Sequence, residues 1–266
     1  MLRRILTSLV GIPPLVAILI LGGSWLRFAI AATAIIGMRE LFTVSGHTSL
    51  ILRVLAYTSG AVYILGLFPG ELHAFLAILA LSMCCALVLF HNRIKPLDTA
   101  TAFIAFSYVA FLLGFVSMVR ELPGGLNLVW LVFISAWGSD TCAYFTGKTI
   151  GRSKLCPLLS PSKTVEGAIG GVLGAAILGY SYISVISLIF GDLPGPSGIN
   201  TTVFYGLVSG FAAIASILGD LTASSIKRHF NVKDFGSIFP GHGGILDRFD
   251  SVTFAAPVIY IAATLA

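Results

Sequence analysis

The sequence predicts an all-α polytopic membrane protein of about nine transmembrane helices, with its N-terminus cytoplasmic and its C-terminus on the opposite side. Three observations predict it. Hydrophobic residues make up 57% of the 266 residues and charged residues only 10%, and the mean hydropathy is +0.98; a soluble surface needs about a quarter charged residues. Apolar windows of spanning length, separated by Gly, Pro or charge, fall near residues 5–21, 24–44, 49–68, 72–90, 99–119, 127–147, 165–191, 201–226 and 250–266. Alternating these spans across a bilayer puts fourteen of the 16 Lys and Arg residues on one side and only Arg27 and Arg120 on the other. The positive-inside rule makes the rich side cytoplasmic.

The first window, in MLRRILTSLVGIPPLVAILIL, resembles a signal peptide, but no small-x-small cleavage site follows and a second apolar stretch begins at once. It is expected to be a retained helix, kinked at Pro13-Pro14. The next five spans follow with short connections. The seventh opens with GAIGGVLGAAILGYS (Gly167–Ser181), small residues suited to close helix packing. Only Lys148–Thr164 and Lys227–Arg248 are long connections, and they carry the densest charge, so chemistry is expected there, on the cytoplasmic side. Residues 1–125 are accordingly expected to be transmembrane helices of unassigned role, and residues 126–266 a catalytic region carrying the polar loops 148–164 and 227–248. The four cysteines form no CxxC pair and have no histidine at zinc spacing, which makes them packing residues. The net charge of +5 is explained by topology and anionic lipid, so no nucleic-acid partner is expected.

Two carboxylates sit where lipid should be. Asp140 lies in WLVFISAWGSDTCAYFTGK and Asp220 in YGLVSGFAAIASILGDLTASSIKR. A charge at mid-bilayer costs about 2.5–3.5 kcal/mol on insertion scales, so each must face a protected interior, a partner or water. Helical spacing places Ser224, Lys227 and Arg228 on the face of Asp220, and Tyr144, Gly147 and Lys148 on the face of Asp140. Two helices thus present a deep acid below a shallower base. A pair of interhelical salt bridges would also account for this pattern.

The loop that follows Asp220 favours chemistry. KRHFNVKDFGSIFPGHGGILDRFD offers Lys227, Arg228 and Lys233 for phosphate, and Asp234, Asp247 and Asp250 for a cation. Carboxylates hold Mg2+ through hard oxygens, while cations and backbone N–H groups take phosphate oxygens. His242, Gly243 and Gly244 would let bare backbone approach a phosphate.

Together these residues resemble the signature of the phosphatidate cytidylyltransferases, also called CDP-diacylglycerol synthases. The match runs through Ser224, Ile226, Lys227, Arg228, Lys233, Asp234, Gly236, Phe239, Pro240, His242, Gly243, Gly244, Ile245, Asp247, Arg248, Phe249 and Asp250 without a gap. An upstream segment is similar as well, through Ser139, Asp140, Thr141, Ala143, Tyr144, Gly147, Gly151, Lys154, Leu155, Ser160, Pro161, Lys163, Thr164, Glu166 and Gly167, with Cys142 where a small residue such as alanine is the family's habit. Motif resemblance covers residues 135–257; before that it rests on hydropathy and span number.

The resemblance implies transfer of CMP from CTP to phosphatidic acid, giving CDP-diacylglycerol and pyrophosphate for phospholipid biosynthesis. It also implies Mg2+, as one or two ions, and a multi-pass protein of the bacterial cytoplasmic membrane with its active site facing the cytoplasm. Asp220, Asp247, Lys227 and Arg228 are then the expected catalytic residues, and Asp220, Asp247 and Asp250 the expected metal ligands. Lys163, Ser224, Lys233, His242, Gly243, Gly244, Arg248, Asp140 and Tyr144 are expected to bind substrate. CTP, phosphatidic acid and membrane lipid are the expected partners, and the oligomeric state, a homodimer included, is left open. A secondary transporter is the rival from another class, but no inverted repeat is visible and the charges gather on one side. A CDP-alcohol phosphatidyltransferase would need an Asp-Gly pair, and no aspartate here precedes a glycine. A cytidylyltransferase acting on another lipid phosphate fits the same motifs.

Overall fold

The computed structural model describes residues 2–46, 48–191, 193–238 and 243–266, with side chains from Gly11 onward. Among the described residues the chain forms nine helical rods. They are α1 (Leu2–Leu21), α2 (Gly23–Ser45), α3 (Leu50–Leu65), α4 (Leu72–Leu89), α5 (Pro96–Glu121), α6 (Gly125–Ile150), α7 (Val165–Phe190), α8 (Thr201–His229) and α9 (Leu246–Thr264). Six of these are long and apolar enough to cross a membrane, and α3 is a shorter apolar helix. The expected polytopic all-α architecture is therefore present, and each rod coincides with one apolar window to within a few residues.

Local chemistry explains where the rods begin and end. Gly46 and Gly66 adopt positive φ, at 74° and 66°, and close α2 and α3 with left-handed caps. Arg27 Nη1 donates to the Leu65 carbonyl at 3.3 Å, supplying a cation to one of the last carbonyls of α3. Asp98 accepts from the Lys95 N–H at 2.9 Å at the start of α5. Asn200 accepts from the N–H groups of Thr202 and Val203 at the start of α8. Pro13 and Pro14 lie inside α1, where the chain stays helical through Leu21.

Two features depart from the sequence expectation. The helices α5 and α6 each contain a π-helical segment, at Ala105–Phe111 and Ile134–Gly138, and the second ends just before Asp140. The connection Lys148–Thr164 is not irregular throughout: Lys154–Cys156 (β1) and Ser160–Thr164 (β2) pair as an antiparallel hairpin with an irregular register. Its base is tied to α7. Glu166 accepts from the N–H groups of Arg152 and Ser153 at 3.0 and 3.1 Å, while Thr164 caps α7 by accepting from the Gly167 N–H at 3.1 Å.

The chain divides into two compact units, one comprising Met1–Ser117 with Phe230–Arg248, the other Met118–His229 with Phe249–Ala266. The first unit has an aromatic core in which Tyr63, Phe75, Phe106 and Phe111 pack with centroids 5.3–6.4 Å apart. The second is built on small residues. A Cβ placed on Gly171 would stand 2.9 Å from the Ser139 carbonyl oxygen and 3.0 Å from the Ala143 methyl. At Gly174 and Gly179 it would run into Cys142 and Ser209, so the small-residue stripe of α7 faces α6 and α8, as expected. The opposite face of α7 exposes Ile169, Leu173, Ile177 and Leu188, apolar residues suited to lipid. All four cysteines are free; Cys142 packs on α7, but Cys84 and Cys85 are exposed on α4, so they do not serve the packing role expected of them.

Gly171→Leu would force the α6–α7 contact apart, a change that costs roughly 1–3 kcal/mol in packed cores. The thermal midpoint in detergent is expected to fall by several degrees, whereas Gly11→Ala, with open space around it, should leave it unchanged.

Candidate active site

In the second unit, α6, α7, α8 and the hairpin enclose a cavity of about 390 Å³. Asp140, Tyr144, Gly147 and Lys148 line it from α6, and Lys163 and Thr164 from β2, with Asp220 and Ile217 contributed by α8. The face of α6 expected to carry an acid below a base is thus the wall of a pocket. The π segment of α6 ends one residue before the helical turn that carries Asp140.

The acid of α8 has defined partners. Lys163 Nζ forms an ion pair with Asp220 Oδ2, and Ser224 Oγ donates to Asp220 Oδ1 at 3.4 Å. The expected ladder on α8 therefore exists at least between its first two members. Arg228, exposed at the end of α8, donates from Nε to the Leu159 carbonyl at 3.4 Å and so reaches the tip of the hairpin. On α6, the Lys148 ammonium lies over the Tyr144 ring, 5.8 Å from its centroid.

Asp250, buried on α9, lies within electrostatic reach of Asp220, Asp140 and Lys227. Its Oδ1 accepts from the Ser251 N–H at 2.8 Å, and the Ser251 hydroxyl donates to Asp140 Oδ2 at 3.5 Å. Three carboxylates from three helices therefore gather in the second unit with Lys163 and Lys227 as countercharges. Among the described residues, no group of three His, Cys, Asp or Glu side chains is close enough to hold a metal ion unaided. The donors are nevertheless hard carboxylate oxygens, the chemistry that suits Mg2+, which takes one or two carboxylates and fills its remaining positions with water and substrate phosphate.

Asp247 belongs to the first unit, in the first turn of α9. Its Oδ2 accepts from the N–H groups of Phe235 and Gly244 at 2.8 and 3.0 Å. Gly243 has φ of 82°, and a Cβ there would meet Asp247 Oδ2 at 2.8 Å. The glycines thus make room for a carboxylate, and the Gly244 N–H is engaged by it. Lys233 and Arg248 are exposed in the same unit. His242 lies outside the described residues.

Two residues, Ser251 and Glu40, escaped the sequence reading. Thr164, matched to the upstream motif but given no role there, lines the pocket and caps α7; Ser251 links Asp250 to Asp140 and carries no distinguishing sequence signal. Glu40 accepts from the N–H groups of Ile245 and Leu246, both at 2.9 Å. It did carry a signal, being an acid inside an apolar span, the same criterion that singled out Asp140 and Asp220.

A polytopic helical membrane protein with a pocket lined by carboxylates and lysines fits an enzyme acting on phosphates at a membrane surface. Residues 2–266 match the cytidylyltransferase family, and the chain belongs to it. It is 33% identical over 97% of each chain to the phosphatidate cytidylyltransferases of Staphylococcus haemolyticus (strain JCSC1435) and Staphylococcus aureus (strain COL). It is 32% identical, with the same coverage, to that of Staphylococcus saprophyticus. The chain is therefore a membrane-embedded nucleotidyltransferase.

Lys163→Ala removes the cation paired with Asp220, and loss of a charge-assisted contact is expected to lower kcat/KM for cytidylyl transfer on the order of tenfold or more. Lys163→Arg should retain a measurable part of it. Steady-state kinetics on both variants check this.

Proposed function

We propose that the chain transfers CMP from CTP to phosphatidic acid, releasing pyrophosphate and forming CDP-diacylglycerol for phospholipid synthesis. The observation that carries this reading is the second-unit pocket, where Asp140, Tyr144, Lys163 and Asp220 converge in a chain that follows the family over residues 2–266. The names and full-length coverage of the relatives support the same substrates.

In the reaction a phosphate oxygen of phosphatidate attacks the α-phosphorus of CTP in line. A new P–O bond forms as the bond to the β-phosphate breaks, and pyrophosphate carries away the electron pair. The attacking phosphate is largely ionised at neutral pH, so no general base is required. Both reactants are polyanions, and the barrier is dominated by bringing them together. Lys163, Lys227 and Arg228 neutralise phosphate charge, and Lys233 and Arg248 are further candidates for the same task. Tyr144 and Lys148 form the wall that receives the nucleotide. Ser224 orients Asp220, and Gly243 and Gly244 allow the loop to close around Asp247. The candidate ligands for Mg2+ are Asp220, Asp247 and Asp250, with Asp140 acting through water, and the metal would supply charge neutralisation of the transferring phosphates.

The reading places the site at the cytoplasmic face of the membrane. CTP arrives from water, the acyl chains of phosphatidate remain in lipid, and the distribution of Lys and Arg makes the loop side cytoplasmic. The decisive experiment supplies the purified protein with labelled CTP and a panel of lipid phosphates, with and without Mg2+. Label is expected in the lipid only with phosphatidate and metal; label with a different lipid phosphate alone would change the acceptor, and substrate uptake without transfer would remove the enzyme reading. Excess EDTA should stop turnover, and added Mg2+ should restore it.

Asp247→Asn keeps an oxygen able to accept from Phe235 and Gly244 while removing the charge. It is expected to abolish transfer and leave the thermal midpoint close to that of the parent; substantial turnover would remove Asp247 from the metal site.

A further inference from the structure

Within the first unit, Glu40 is buried in α2, 6% exposed, and its two oxygens take the N–H groups of Ile245 and Leu246, each at 2.9 Å. These N–H groups open α9, where the helix leaves donors without intrahelical partners and its dipole favours negative charge. The contact joins residues 205 and 206 positions apart, so it is a tertiary device rather than a local cap.

The loop is shaped to accept this carboxylate. A Cβ on Gly236 or on Gly244 would run into the Glu40 carboxyl group, and neither glycine has a positive φ that would otherwise require it. A few residues away, Asp247 Oδ2 gathers the N–H groups of Phe235 and Gly244. Gly244 is therefore shared: its missing side chain admits Glu40 and its N–H serves Asp247. Glu40 and Asp247 are close enough for mutual repulsion, so both anions are held together by backbone N–H groups.

We infer that Glu40 is a positioning residue for cytidylyl transfer, fixing the start of α9 so that the Asp247 carboxylate is held in its working direction. This rests on the proposed function, because Asp247 matters to catalysis only if that reading holds. Glu40 itself touches neither reactant; it acts through the loop. A uniform contribution to fold stability would instead lower the thermal midpoint without changing kcat in the folded fraction.

The test compares the purified full-length protein with Glu40→Gln, Glu40→Asp and Gly236→Ala, which pushes a methyl group against the same carboxylate from the loop side. Glu40→Gln replaces an acceptor oxygen with a donor facing an N–H. It is expected to lower kcat about tenfold or more with KM for CTP nearly unchanged, and hydrogen exchange should accelerate in peptides covering residues 243–250. Glu40→Asp should recover part of kcat. Gly236→Ala should reproduce the kcat loss, and the double variant should lose less than the product of the two single effects. A kcat within twofold of the parent in Glu40→Gln, or full multiplicativity in the double variant, would overturn the inference. If Glu40→Gln does not fold, an unchanged kcat in Gly236→Ala overturns it equally. If the parent itself transfers no CMP, the functional reading fails, and unchanged exchange in residues 243–250 on substitution of Glu40 overturns the positioning role independently.

Discussion

An ionised carboxylate inside an apolar helical bundle must be given partners, and that constraint shapes both units of this protein. Water solvates such a group well and the bundle does not, so the half-buried Asp220 and the buried Asp250, Glu40 and Asp247 are met by cations, hydroxyls or backbone N–H groups. Asp220 has Lys163 and Ser224. Asp250 has the Ser251 N–H and lies near Lys227. Glu40 and Asp247 have four backbone N–H groups between them. The hairpin that delivers Lys163, the glycines that admit the carboxylates and the serine that follows Asp250 all serve this requirement.

The partners differ in kind from acid to acid, and the difference bears on function. In the second unit the acid Asp220 is met by the Lys163 and Ser224 side chains, whose cation a phosphate could recruit, and the acid Asp250 by the Ser251 N–H. In the first, Glu40 and Asp247 are met by fixed backbone donors, which orient a carboxylate without neutralising it. A reaction between two polyanions needs both properties: positive charge free to move onto substrate, and carboxylates held still enough to serve a cation. The small residues of α7 complement this by letting α6 and α8 approach closely enough for their polar faces to share one pocket.

Much of the fold could be read from the sequence because the bilayer leaves few choices. Backbone groups in lipid must be satisfied within each segment, so apolar windows become helices and Gly, Pro or charge marks their ends. The site was readable to the extent that it is helical: i, i+4 and i+8 spacing put Asp140, Tyr144 and Lys148 on one face, and they line one cavity. Glu40 escaped because it follows Arg39 near the end of a span, where charge is unremarkable for topology. The hairpin escaped because residues 154–164 contain no alternating apolar pattern; Glu166 and Thr164 fix its base instead.

By itself the sequence determined the family, the polytopic helical fold and the segments that carry the polar chemistry, because hydropathy, helical period and motif spacing are properties of neighbouring residues. Only the tertiary structure decided which acids share a pocket, which are tied to backbone, and that a glutamate near residue 40 holds a loop near residue 245. Those are contacts between distant segments, and packing, not local spacing, chooses them.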